Sequence, residues 1–541
     1  MNRRAKWIAL AAAALIWFLL VGWGRRQTVS AYIEMSGEGE SLAFSVSLSS
    51  ESSSTVICSF RDESGDLWLF LPSWSEGRIL QTQSESPLAS WNGETLTAGL
   101  TAELSDGHTL TLLTGSAIPT VSLTLEHEFS YVQSDQEASD SGSIEIVDAD
   151  GTLLHSGKLG RISGRGNSSW NEEKKPFNIT LGEPAALLED GVVTDSYCLL
   201  SSTDQTFLRN RISREMAQEA GAASLNAVIV NLYVNGSYEG VYELSERVTA
   251  QNLGIYDLEE ETERLNAAQE APVQQTTGES ADDWNASVTG KWWVYAQEPE
   301  DFTGGYLLEA DDAIRYESEA SGFILESGAY LVVKSPEYLS AVQYRYLSTY
   351  LQNCEDLIAA SAGLEGSEAL ETCLDVSGFV GKYLVEEVSK NIDSSSTSQY
   401  LYKDRDGLLC AGPVWDYDWA YGADREQEGI DYSDPEGFAA NQVTGSFTWW
   451  QLLYENGAFY DQVTEVYEES VYPWLQELTE ELLAAWEEEL TDSAVMDYLR
   501  WGKVSSDVPE DVAVWYHSEV EEVRSFLEER MEFLYREWCG E

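Results

Sequence analysis

The stretch NAVIVNLYVNGSYEGVYELSERV, residues 226–248, leaves the chain little choice. Two β-prone runs flank Asn235-Gly236. An Asn-Gly pair supplies the two positive φ angles that a two-residue hairpin turn demands. The same texture surrounds it. PTVSLTLE reads as a strand, and SGSIEIVDADGTLLHSG as a hairpin turning at Asp148-Ala149-Asp150-Gly151. KLGRISGRGNSSWNEEKKPFNITL is two extended runs about a Gly-rich turn. SSTDQTFLRNRISREMAQEAGA opens with capping residues and runs as a helix to Gly221.

Beyond residue 300 the period changes. GGYLLEAD is a strand, while VQYRYLSTYLQNCEDLIAA and GFVGKYLVEEVSKN are helices. SQYLYKDRDGLLCAGPVWDYD reads as a hairpin around Asp406-Gly407. From about 448 the chain is nearly all amphipathic helix. Residues from about 257 to 300 are polar and acidic, and read as a flexible insertion. Residues from about 30 to 116 are short alternating runs broken by Ser, Gly, Asp and Pro, a small β-sandwich-like module. The fold class expected is α+β, β-rich first and helical in its C-terminal half. The expected division is 1–26, 27–117 and 118–541.

The first segment sets the address. MNRRAK precedes an uncharged run from Trp7 to Trp23, about 26 Å long as a helix, followed by Arg25 and Arg26. We expect an uncleaved signal anchor, a transmembrane helix with the body outside the cytoplasm. Cleavage near Val29-Ser30-Ala31 would instead give a secreted protein.

Charge narrows the partners. With 31 basic and 94 acidic residues the net charge is −63. Nucleic acid and anionic lipid are bound mainly through Lys and Arg, so both are excluded as partners of the body. A soluble monomer with a basic, serine-rich protein partner suits this surface. A polyanionic substrate would need a local island of positive charge, or a divalent cation. The six cysteines show no metal-ligand spacing and read as buried thiols, with Cys354 and Cys373 the one pair worth testing. None of the four histidines sits beside a nucleophile motif.

Several short constellations could carry chemistry, each with a plainer alternative. In GRGNSSW, Gly164, Arg165, Gly166 and Asn167 could cradle an anion with backbone N–H groups, or simply turn the chain. Lys174 and Lys175 could neutralise phosphates, or lie on the surface. Arg209 could reach phosphate or decorate a helix. Glu243 and Glu246 face opposite sides of a strand, and either could pair with a lysine or accept from an adenine amine. Asp393 follows a helix and could accept a hydroxyl proton; the plainer reading is a turn residue. In GPVWDYDWAYG an extended strand would put Asp416 and Asp418 on one face, with Trp415, Tyr417 and Trp419 on the other. That face could hold Mg²⁺. D-x-D recurs at Asp148/Asp150 and Asp404/Asp406, where it marks turns. Order adds meaning: Gly-rich turn, lysine, glutamate, aspartate, hairpin, aspartate is the parts list of ATP-dependent phosphoryl transfer.

The stretches SGRGNSSWNEEKKPFNITL, LYVNGSYEGVYELSERV, GGYLLE, KNIDSSSTSQYLYKD and GPVWDYDWAYG resemble the spore coat protein H (CotH) kinase-like family. The likeness runs from about Pro119 into the C-terminal helices. It implies an atypical two-lobed protein-kinase-like domain that transfers the ATP γ-phosphate to serine or threonine of a spore-coat or surface protein, using Mg²⁺ or Mn²⁺. It implies that Asp393 is the catalytic aspartate and Asp416 the metal ligand. Asp418 would be a further ligand or support one, and Lys175 would contact the phosphates. Glu243 or Glu246 would contact nucleotide or lysine. Two positions depart from the family: Ser398 stands where an asparagine ligand is common, and Cys410 where an aromatic residue stacks adenine. Both open an alternative, a surface binding or scaffold protein that kept the fold and lost the chemistry.

Overall fold

The computed structural model describes residues 28–35, 42–48, 59–61, 67–76, 79–82, 94–95, 97–103 and 109–540, except 270–272, 277–287, 428, 443–444 and 503–507. The expected anchor at residues 1–26 lies outside the described residues. Among the described residues no helix is long and apolar enough to cross a membrane. The described chain is α+β. It divides into two compact units. The first holds residues 1–201, 227–245 and 487–517; the second holds 202–226, 246–486 and 518–541.

In the first unit the early segments form two small sheets. One orders β2 (Leu42–Leu48), β1 (Thr28–Met35) and β5 (Ile79–Thr82). The other orders β3 (Ser59–Arg61), β4 (Leu67–Leu71), β7 (Thr109–Thr114) and β6 (Thr101–Glu103).

The rest of this unit is built on a closed barrel. Its strands are β8 (Thr120–Leu125), β9 (Ser139–Val147), β10 (Leu153–Gly164), β11 (Phe177–Ala185), β12 (Thr194–Leu200), β13 (Ala227–Val234) and β14 (Ser237–Glu246). They close in the order β10-β11-β12-β14-β13-β8-β9. Period-two alternation sends Val121, Leu123, Ile144, Ile146, Phe177, Ile179, Tyr242 and Leu244 into one buried cluster. Each such side chain contributes about 1.5–3 kcal/mol when removed from water. The turns are where local chemistry puts them. Asn235 (φ 50°) and Gly236 (φ 82°) join β13 to β14, and Gly151 (φ 87°) joins β9 to β10.

The second unit centres on a seven-stranded sheet. Its members are β15 (Val273–Thr276), β16 (Thr289–Val294), β17 (Tyr306–Asp311), β18 (Gly322–Ile324), β19 (Tyr330–Ser335), β20 (Gln399–Lys403) and β21 (Leu409–Ala411). Their order is β15-β16-β18-β19-β17-β20-β21. The helix Ala341–Ser361 starts on a capping box made by Ser340 and Gln343. The helix Val376–Ser389 is buried over nearly its whole length. The helix Arg209–Ala220 stops at Gly221, in the left-handed region at φ 74°. Helical segments follow from Trp449.

The described parts of the segment expected to be a flexible insertion carry regular structure, while its residues 270–272 and 277–287 lie outside the described residues. The helix Leu258–Leu265 is capped by the Asp257 carboxylate and buries Leu258 and Thr262. Gln343 donates to the Thr262 hydroxyl at 2.9 Å, and Asn266 donates to the Gln297 carbonyl at 2.8 Å. A few buried anchors outweigh the polar composition here.

Candidate functional site

The helix Val376–Ser389 positions the site. Its sequence, VSGFVGKYLVEEVS, is apolar except where Lys382, Glu386 and Glu387 fall on buried positions. Lys382 and Glu386 are an i,i+4 ion pair with both side chains fully buried. The Tyr417 hydroxyl joins them, donating to Glu386 at 2.7 Å and accepting from Lys382 at 2.8 Å. The other Glu386 oxygen accepts from the Asn391 side-chain amide at 2.9 Å, and the Asn391 side-chain oxygen Oδ1 accepts from the Asp393 N–H at 3.1 Å. One buried carboxylate therefore holds both the loop of Asp393 and the loop of Asp416.

The helix ends at Lys390, whose left-handed backbone (φ 45°) donates its N–H to the last turn. Its ammonium donates to three carbonyls of the following segment, those of Asp431, Asp434 and Glu436, at 3.1, 2.6 and 2.8 Å. Arg530 is fully buried; it donates to the Pro435 and Gly437 carbonyls and pairs with Glu387 at 2.6 Å. Glu387 also accepts from the N–H groups of Ala439 and Ala440. Residues 431–440 are thus fastened beside the Asp393 loop, where Ile392 packs with Ile430, Tyr432 and Ala439.

Asp393 is half-buried. Burial, followed by the negative charge of Asp416, pushes its carboxyl up to about 7; a hydrogen bond from Thr397 opposes the shift, and Glu386 and Asp311 add to it. Ser398 donates its hydroxyl to Asp416 at 3.2 Å. Asp393, Asp416 and Ser398 are therefore brought together. They offer hard oxygen donors of the kind that Mg²⁺ or Mn²⁺ takes. The like charge acting on Asp393 is what a bound cation would relieve, so the residues present fit a divalent ion.

The extended-strand reading of GPVWDYDWAYG does not hold. β21 ends at Ala411, and Asp416 has φ 69°, which reverses the chain. The acids do not share a face. Asp418 accepts from the Ser202 hydroxyl and the Asn210 amide, each at 3.1 Å. Nor do the rings share a buried back: Tyr417 is buried, while Trp419 is 39% exposed and stacks on Arg425.

Arg209 pairs with Asp204 at 2.5 Å, and the same carboxylate accepts the Arg209 N–H. Glu246 accepts from the N–H and side-chain amide of Asn226. Cys410 lies on β21 opposite Tyr402, its thiol raised by burial and by Asp375.

The other expected residues belong to the first unit. Glu243 is buried on β14, opposite Ile229. Gly164 leaves room for the Trp170 ring, which a Cβ would meet at 2.5 Å. Gly166 sits at φ 85°, and its carbonyl accepts from Gln136. Arg165 bonds the Pro176 carbonyl through its N–H, and the Asn167 carbonyl accepts from Asn171. Lys175 donates to the carbonyls of Trp170 and Glu172 at 2.6 and 3.1 Å and lies over the Trp170 ring. Its neighbour Lys174 is buried, pairs with Asp497 at 2.5 Å and donates to the Val241 carbonyl.

Sequence reasoning passed over Glu386, Glu387, Lys390, Asn391 and Arg530. One signal was available: three charged residues on an otherwise apolar helix need buried partners.

The model of the CotH kinase protein family matches residues 162–534. Among curated proteins none gives a significant match. The matched span takes in the barrel strands from the end of β10 onward, leaving out β8 and β9, together with the helix, hairpin and loops just described, and the chain belongs to the CotH kinase family.

Proposed function

We propose that this protein is an ATP-dependent protein kinase of the atypical two-lobed kind, acting on serine or threonine of a coat or surface protein. The observation that carries the reading is the set of Asp393, Asp416 and Ser398, with like charge converging on Asp393. Asp416 and Ser398 would hold Mg²⁺ or Mn²⁺, and a bound ion supplies charge neutralisation on the nucleotide phosphates. Asp393 orients the substrate hydroxyl and takes its proton. The hydroxyl oxygen attacks the γ-phosphorus, the bond to the β,γ-bridging oxygen breaks, and ADP leaves. Asp418 braces the loop through Ser202 and Asn210.

The two adjacent lysines of the first unit differ in charge balance. Lys174 is charge-balanced by Asp497, whereas Lys175 bonds neutral carbonyls and keeps its net charge. Attachment to a membrane through residues 1–26, with the body outside the cytoplasm, completes the proposal.

The test is phosphate transfer from γ-labelled ATP to a basic, serine-rich peptide by the full chain with Mg²⁺. Transfer that Asp393→Ala and Asp416→Ala abolish supports the reading. Transfer unchanged in both variants overturns it.

A further inference from the structure

Cys354 and Cys373 are both buried, and each thiol acts on the other. A second contact fixes the same approach. Tyr350, one turn earlier on the helix Ala341–Ser361, donates its hydroxyl to the Cys373 carbonyl at 2.7 Å. Residues i and i+4 share a helix face, so Cys354 is directed at the same segment. Lys403, whose ammonium lies 5.0 Å from the centre of the Tyr350 ring, supplies positive charge close to the Cys354 sulfur. That charge is outweighed at Cys354, whose thiol is raised by Cys373 and by burial, while Cys373 is lowered by Cys354; Cys373 is therefore the sulfur readier to form the thiolate that attacks a disulfide.

The segment that would be tied down bears on the site. The Cys373 carbonyl also accepts the N–H of Leu409 at 2.9 Å, and the backbone N–H of Asp375 donates back to the Leu409 carbonyl. Leu409 begins β21, and the chain leaves β21 for the Asp416 loop.

We propose that Cys354 and Cys373 are a redox-active pair that closes to a disulfide, fastening the helix Ala341–Ser361 to the segment that supports β21. This inference is independent of the kinase reading. Two S–H bonds break and one S–S bond forms. The two electrons and two protons pass to a disulfide oxidant, either a low-molecular-weight disulfide or a thiol–disulfide oxidoreductase, which leaves as two thiols.

The full chain is unfolded and refolded in a buffer of oxidised and reduced glutathione. Free thiols are then alkylated under denaturing conditions and the peptides weighed. The expected product is a peptide pair linked through Cys354 and Cys373, opened by dithiothreitol. Reduction should lower the melting temperature by about 5 °C, a shift absent from Cys373→Ser. Recovery of both residues fully alkylated, or joined to glutathione or to other cysteines, overturns the proposal. That result does not depend on whether any variant folds.

Discussion

Two sets of carboxylates meet at the end of the helix Val376–Ser389, and they keep different company. Glu386 and Glu387 are fully buried. Glu386 has Lys382, Tyr417 and Asn391 around it, and Glu387 has Arg530, the Tyr383 hydroxyl and three backbone N–H groups. A few residues on, the charges that most affect Asp393 are those of Asp416, Glu386 and Asp311, all negative. The chain has only 31 basic residues to distribute, yet it buries two of them against the first set. Matched buried charge fixes a framework, because removing either partner strands the other in a dry interior. Carboxylates gathered near the surface with like-signed neighbours instead suit an exchangeable cation. The first set builds the loops, and the second is what the loops present.

The largest effect should separate activity from stability. Asp393→Asn and Asp416→Asn should each lower phosphate transfer by about 10²–10⁴-fold. In EDTA at pH 8 each should melt at or above the parent temperature, since one of several like charges is gone. A variant that unfolds would place these residues with the framework and break the comparison.

Arg530→Met should do the reverse. It leaves Glu387 buried without its cation, for a loss of about 3–5 kcal/mol in urea unfolding. Adding Glu387→Gln should restore part of that loss. An Arg530→Met protein as stable as the parent would show that this pair does not fasten residues 431–440.

Lys390 should give the smallest effect and a signed pH dependence. Burial, helped by the charge of Arg530, pushes its ammonium from 10.5 down to about 8. Between those values the unfolded chain holds a proton that the folded chain has released. This group therefore contributes least to stability below pH 8, and its contribution rises with pH up to about 10.5. Lys390→Met should remove that rise, a difference of about 1–3 kcal/mol in the urea series between pH 7.5 and pH 10. Parallel profiles for parent and variant would contradict the assignment.

What could be read from the sequence was local. Asn235-Gly236, Asp148–Gly151 and Gly221 act through their own backbone preferences, and the structure uses them as expected. Asp393 and Asp416 were legible as candidates because residue type and order sufficed. Their surroundings were not. The left-handed Asp416 sends Asp418 toward Asn210, and nothing in WDYDW announces a non-glycine at φ 69°. The difference between Lys174 and Lys175 rests on Asp497, 323 residues from Lys174 along the chain. Glu386 could have been flagged, but its partners Tyr417 and Asn391 emerge only after folding.

The central claim is that Asp393 and Asp416 seat a divalent cation, and Mn²⁺ titration followed by the electron paramagnetic resonance of the free ion tests it most directly. At about 0.15 M salt, which screens the acidic surface, the full chain should show one saturable site. Its affinity should fall at least about tenfold in Asp416→Asn, by the loss of one charged ligand. Identical titrations for parent and Asp416→Asn would contradict the account.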